Sequence, residues 1–136
     1  MTVFKGEAKD VIGDPQPAGE KISVSVFECL LDKTVTILAV KGFIDTTTVS
    51  EFEKKFKEVL REKKFKLLVD LTGVAYIGSA GWGIFVSEIR GIRNMRGDVI
   101  LVGMDPQVTE VFELLEFNVI LKSFRNVAAA ITNGFK

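Results

Sequence analysis

The sequence of 136 residues predicts an α/β domain with a mixed, largely parallel sheet of four to five strands flanked by helices. Two observations carry that reading. After an initial hairpin, segments of strand-type hydrophobicity alternate with segments of helical apolar spacing, the order that parallel strands joined by crossover helices require. Two short and nearly continuous apolar runs, Leu67-Leu68-Val69-Asp70-Leu71 and Val99-Ile100-Leu101-Val102, are bounded by lysine or glycine, as in strands buried on both faces.

Taken in order, residues 1–21 carry Gly13, Asp14, Pro15, Pro17 and Gly19 and read as a leader or linker, to which Val3 and Phe4 add at most a short edge strand. The domain itself occupies residues 22–136. Ile22, Val24 and Val26 alternate with polar residues, as do Val35 and Ile37 beyond Leu31-Asp32-Lys33, which predicts a β-hairpin whose second strand ends at Gly42. Thr48-Val49-Ser50-Glu51 has the spacing of a capping box. An amphipathic helix follows, with Val49, Phe52, Phe56, Val59 and Leu60 on its packed stripe. The run from Leu67 to Leu71 is the central strand, closed by Gly73. A second helix spans about residues 79–95 with Ile84, Phe85, Ile89 and Ile92 inward, closed by Arg96-Gly97. After the strand at residues 99–103, Asp105-Pro106 supplies an N-cap and a proline at the first helical position, opening a helix with Val108, Val111, Phe112 and Leu115 inside. A short strand near Ile120 and a helix with Val127, Ala130 and Ile131 complete the domain.

Composition excludes several function classes. Eighteen basic and eighteen acidic residues cancel and are interspersed, so there is no concentrated positive face for nucleic acid. There is no histidine, which removes the usual general base, the commonest zinc ligand and the Ser-His pair together. No catalytic residue, metal or cofactor is expected. The single cysteine, Cys29, sits in an apolar stretch and reads as a buried thiol. No apolar run approaches the roughly 18 residues of a spanning helix and the N-terminus lacks the order of a secretion signal, so the expected location is the cytoplasm, without membrane insertion.

The candidate site is Gly78-Ser79-Ala80-Gly81-Trp82-Gly83, between the central strand and a helix, where ligands and partners commonly meet such folds. Its glycines do not match the dinucleotide fingerprint, there is no Walker lysine, and the serine is not in a nucleophile elbow. Position alone makes Ser79 a helix N-cap, contributing about 1 kcal/mol. A phosphate there is compatible with the helix, because it would add ~1.5 to 2 negative charges opposite free amides and the positive end of the helix dipole. Trp82 is weighed evenly between core packing and an exposed anchor for a partner. Asp45 before a helix reads first as a cap, and Asp70 inside a strand as an acceptor of backbone amides.

Three segments in register carry a resemblance: Gly42-Phe43-Ile44-Asp45-x-x-Thr48; Leu68-Val69-Asp70-Leu71-Thr72-Gly73-Val74 leading to Ile77-x-Ser79-x-Gly81-Trp82-Gly83; and Leu101-Val102-Gly103-Met104-Asp105-Pro106-x-Val108. Over about residues 22–133 the chain resembles the STAS domain of bacterial anti-sigma factor antagonists. The resemblance implies a single-domain STAS fold and partner switching. The unphosphorylated protein would bind an anti-sigma factor that is also a serine kinase, releasing a sigma factor; phosphate on Ser79 would break that complex, and a PP2C-type phosphatase would restore it. Asp45, Asp70, Gly78, Ala80, Gly81 and Trp82 are then the expected partner-binding positions, and a homodimer is left open. The family often has an acidic residue where this chain has Gly78. That difference motivates a second reading, a non-phosphorylated scaffold in a sensory or transport assembly, and the glycine-rich turn motivates a third, a nucleotide-binding regulatory domain.

Overall fold

The strands lie side by side in chain order within one sheet: β1 (Phe4–Lys5), β2 (Ser23–Cys29), β3 (Thr36–Ile44), β4 (Lys66–Ile77), β5 (Asp98–Val102) and β6 (Lys122–Phe124). This computed structural model describes Phe4–Lys5 and residues 22–135. The leader read over residues 1–21 lies outside the described residues except for β1, which pairs antiparallel with β2 at Cys29 and Glu28. β2 and β3 form the expected antiparallel hairpin, and β3, β4, β5 and β6 run parallel. The mixed, mostly parallel sheet is therefore as the sequence predicts.

Helices α1 (Val49–Arg61), α2 (Ser79–Asn94) and α3 (Pro106–Leu114) make the three parallel crossovers, and α4 (Val127–Asn133) follows β6. Because the parallel strands are added in one direction, crossovers of one hand must place all three connecting helices on the same face. Strand alternation separates the two faces. Leu38, Leu67, Val69, Leu71, Val99 and Leu101 pack with Phe52 and Phe56 of α1, Trp82 and Phe85 of α2 and Phe112 of α3. Ile37, Leu68, Ile100 and Val102 point the other way, toward Val127 and Ala130 of α4 and the buried, free Cys29. Phe85 is the hub of the first core, with ring centroids 5.4 Å from Phe52, 6.0 Å from Phe56 and 6.2 Å from Trp82.

Several local readings are corrected. Gly42 does not end β3; at φ 113° it sits within an irregular stretch of the β3–β4 pairing, and the strand continues to Ile44. β4 likewise passes Gly73 and runs to Ile77. The capping box does not form. Thr48 is the N-cap of α1, but its hydroxyl donates to the Phe43 carbonyl at 2.6 Å and accepts from the Asp45 amide at 3.0 Å, so the loop uses it instead of the helix. At the end of α2 the left-handed residue is Arg96, at φ 65°, while Gly97 is needed because a Cβ there would collide with the Phe65 carbonyl. Asp105 does cap α3, accepting from the Val108 amide at 2.9 Å with Pro106 beside it. Of the four α3 residues expected inside, Val108 and Phe112 are buried, whereas Val111 is 38% and Leu115 53% exposed.

Phe85→Ala removes the ring that joins α1 to α2 and should cost about 3–5 kcal/mol. Urea unfolding of the variant measures it, and a loss under about 1 kcal/mol would contradict the assignment of Phe85 as the core hub.

Candidate functional site: the turn from β4 into α2

The site is set by the pairing of two strand ends. In the β3–β4 register Ile44 lies beside Ile77, so the residues that follow, Asp45 and Gly78, leave the sheet next to each other. The Gly78 amide donates to the Ile44 carbonyl at 2.7 Å and fixes the two exits together. Gly81 makes the close approach of α2 possible: a Cβ at this position would stand 2.6 Å from Ile44 Cγ2 and 2.9 Å from Ile77 Cγ2.

Ser79 is not the N-cap. That position belongs to Gly78, which has extended backbone angles and whose carbonyl accepts from the Gly81 and Trp82 amides at 3.0 and 3.1 Å. Ser79 is the first residue of α2, and its side chain is exposed with no hydrogen bond among the described residues. The amides of Ser79 and Ala80 have no carbonyl within the helix to bond, since they precede its first full turn. No acidic residue lies in that first turn, so no side chain of α2 itself offsets the positive end of its dipole.

Asp45 stands beside this turn in the β3–α1 loop. Its Oδ1 accepts from the Thr47 hydroxyl at 2.7 Å and the Thr47 amide at 2.9 Å. These bonds, the hydroxyl first, hold its carboxyl below the usual carboxylate range. Asp45 therefore orders the loop rather than capping α1. Asp70 is elsewhere: it lies seven residues before Ile77 along β4, about 23 Å at ~3.3 Å per residue. Its Oδ1 accepts from the Thr72 amide and hydroxyl at 3.0 and 2.6 Å. Asp70 is thus the acceptor of a backbone amide that its place in a strand suggests, at a distance from the turn that Asp45 adjoins.

Trp82 as an exposed anchor is also corrected. Only 1% of it is accessible, with its ring stacked on Phe117 at 5.0 Å and 5.7 Å from Phe112, because the first turn of α2 directs this position under α3. Its Nε1 is buried with no hydrogen-bond partner among the described residues. The aromatics that do reach the surface are Phe43 and Tyr76, paired across β3 and β4 and 43% and 53% exposed. The Tyr76 hydroxyl lies 3.2 Å from where a Cβ on Gly78 would be, and so fills the space an acidic side chain there would take. Reading β4 as ending at Gly73 hid this pair; continuing the strand to Ile77 would have found it.

Together the site offers a free hydroxyl, unpaired helix amides, an ordered carboxylate and two exposed aromatic rings. The STAS domain family model matches residues 29–130. The chain belongs to the STAS domain family. Among its relatives is an anti-sigma-B factor antagonist of Listeria monocytogenes, 26% identical over 83 residues, covering 61% of this chain and 73% of the relative. An anti-sigma factor antagonist from Mycobacterium paratuberculosis shares the fold, with a TM-score of 0.73 and 22% identity over 82% of this chain and 92% of its own. So does Bacillus SpoIIAA in its phosphorylated form, with a TM-score of 0.58 and 14% identity over 80% of this STAS chain and 96% of that chain. The relatives are named for antagonism of a protein factor, not for a reaction. Among the described residues no helix is long and apolar enough to cross a membrane.

Two measurements check this geometry. Gly83 has open space where a Cβ would be, so Gly83→Ala should raise stability by about 0.5–1 kcal/mol through helix propensity. Gly81→Ala should lower it by about 1–3 kcal/mol through overpacking; thermal melts showing the same sign for both would contradict the close approach. Carboxyl NMR titration should find Asp45 below the ordinary range and Thr47→Val moving it part of the way back. Because the folded value is depressed, the stabilisation holds above the ordinary carboxylate pKa and fades as pH falls through the lowered one. A titration unchanged by Thr47→Val would remove the assigned cause.

Proposed function

We propose that this STAS domain is an anti-sigma factor antagonist whose hold on its partner is switched by phosphate on Ser79. The observation that carries the reading is the exposed, unbonded Ser79 hydroxyl at the first position of α2. The names of the relatives, and the phosphorylated form in which the Bacillus protein of the same fold is known, support it.

The unphosphorylated turn is the binding form. Asp45, Gly78, Ser79, Ala80 and the exposed Phe43 and Tyr76 form a contact surface with an apolar centre and a polar edge. The partner is an anti-sigma factor with serine kinase activity, and its sequestration frees a sigma factor. In the transfer step the Ser79 oxygen forms a bond to the γ-phosphorus of ATP while the bond from that phosphorus to the β–γ bridging oxygen breaks. ADP leaves, and the hydroxyl proton passes to a base on the kinase. The product adds ~1.5 to 2 negative charges at a contact that must be desolvated to form. The unpaired amides of Ser79 and Ala80 favour the phosphate in place, so the helix survives while the surface changes. A PP2C-type phosphatase resets the switch by transferring the phosphoryl group to water. Buried Trp82 supports the turn from beneath, and Asp70 takes no direct part. The protein acts in the cytoplasm, where its partners and ATP are.

Incubation with the cognate anti-sigma factor kinase and ATP, followed by mass spectrometry, should place one phosphate on Ser79 and none in Ser79→Ala. Binding to that kinase should survive in Ser79→Ala and weaken by at least roughly tenfold on phosphorylation. No phosphate at Ser79, or unchanged affinity once it is there, would overturn the reading; co-purification with a sensor or transporter and no kinase would favour the scaffold.

A further inference from the structure

The exposed side of α3 carries an apolar stripe that the core does not use. Val111 and Leu115 are 38% and 53% exposed, Leu114 is 77% and Val119, in the 3-10 turn after the helix (Phe117–Val119), is 79% exposed. Residues three and four apart share a helix face, which puts Leu114 and Leu115 beside Val111. At its other end the stripe runs into a groove of about 320 Å³ lined by Tyr76, Ile77, Trp82, Gln107, Glu110 and Val111. Contiguous apolar surface of this kind marks interaction sites.

Its charge is one-sided. From residue 97 to residue 121 the sequence holds five acidic residues and no lysine or arginine, in a chain whose net charge is zero. Asp105 is spent on the α3 cap and Asp98 on Arg93 and Lys122. Arg93, whose guanidinium reaches the Ile120 carbonyl, is held by Asp98. Glu110, Glu113 and Glu116 remain, exposed and in no ion pair among the described residues, along the apolar stripe.

We propose that this face of α3 is a docking surface for a basic amphipathic helix of a protein partner, its aliphatic side chains on Val111, Leu114, Leu115 and Val119 and its lysines or arginines on the three glutamates. Charge selects the occupant. A second copy seated by two-fold symmetry would bring the same glutamates against each other, which like-charge repulsion disfavours. A lipid surface fits no better, because the headgroups of an anionic leaflet would be repelled by the same row. A basic helix satisfies both the stripe and the row. This surface adjoins the switch surface at Tyr76, but the residues that would hold the partner helix, Val111, Leu114, Leu115 and Val119 with the three glutamates, lie outside it.

The test is an NMR titration of the isotope-labelled protein with a synthetic amphipathic helix of leucine and lysine. Saturable amide shifts confined to residues 107–119 are expected, and about 0.5 M salt should weaken the binding. Leu114→Ser with Val119→Ser, at positions exposed enough to leave the fold intact, should weaken it by roughly tenfold or more. Glu110→Gln with Glu113→Gln should weaken it without touching the apolar stripe. A peptide of the same composition with the leucines scrambled should not bind. Shifts that do not saturate or that map elsewhere, variants that bind equally well, a dimer of the free protein dissolved by Leu114→Ser, or adsorption to phosphatidylserine vesicles would each overturn the proposal.

Discussion

The hydrogen bond from the Gly78 amide to the Ile44 carbonyl, 2.7 Å long, is the constraint on which the site depends. It ties the exit of β4 to the exit of β3 at the point where parallel pairing ends. With it in place, Asp45 and Ser79 become neighbours although they are far apart in sequence. The small residues then follow from geometry. α2 can begin at once only if its first turn lies on Ile44 and Ile77, and Gly81 is the residue that allows that distance. Trp82, one step further round the helix, is thereby carried under α3 and stacked on Phe117.

The same constraint explains how a serine can be both precisely placed and chemically idle. Gly78 supplies the extended cap position and the carbonyl that starts the helix, so the Ser79 hydroxyl is left without a structural task. Its backbone is held by the strand pairing beneath it while its side chain faces solvent. A charged group added there meets unpaired amides, and the aromatic core behind it, from Trp82 through Phe85 to Phe52 and Phe56, has no need to move. Under the proposed switch, a phosphate at this position would change what the surface binds and leave the packing alone.

The largely parallel character of the sheet and the helices were legible because burial on two faces imposes simple patterns: continuous apolar runs in β4 and β5, and helical spacing in α1 and α2. The cap at Asp105 was legible because aspartate, proline and their spacing state a local bond. What the sequence did not disclose depends on tertiary partners. Thr48 and Glu51 have the right spacing for a capping box, yet the Thr48 hydroxyl bonds the Phe43 carbonyl instead. The exposure of Val111 and Leu115 is invisible to periodicity, since a stripe that faces a partner and a stripe that faces the core look alike in one dimension. Trp82 shows the converse, a residue type common at interfaces that here fills the core. At the site, Ser79 reads as the N-cap from sequence but is the first residue inside the helix, and the distance of Asp70 from it follows from β4 continuing to Ile77.

The central claim is that phosphate on Ser79 alters the surface without altering the fold. Comparing amide spectra of the phosphorylated and unphosphorylated protein tests it directly. The account predicts large shifts at Ser79 and Ala80, smaller ones at Asp45 and Gly78, and an unchanged pattern for the amides of β5 and for the core residues Phe52, Phe85 and Ile100. Shifts spread through β5 and the aromatic core, or a loss of the α2 amide signals, would contradict it.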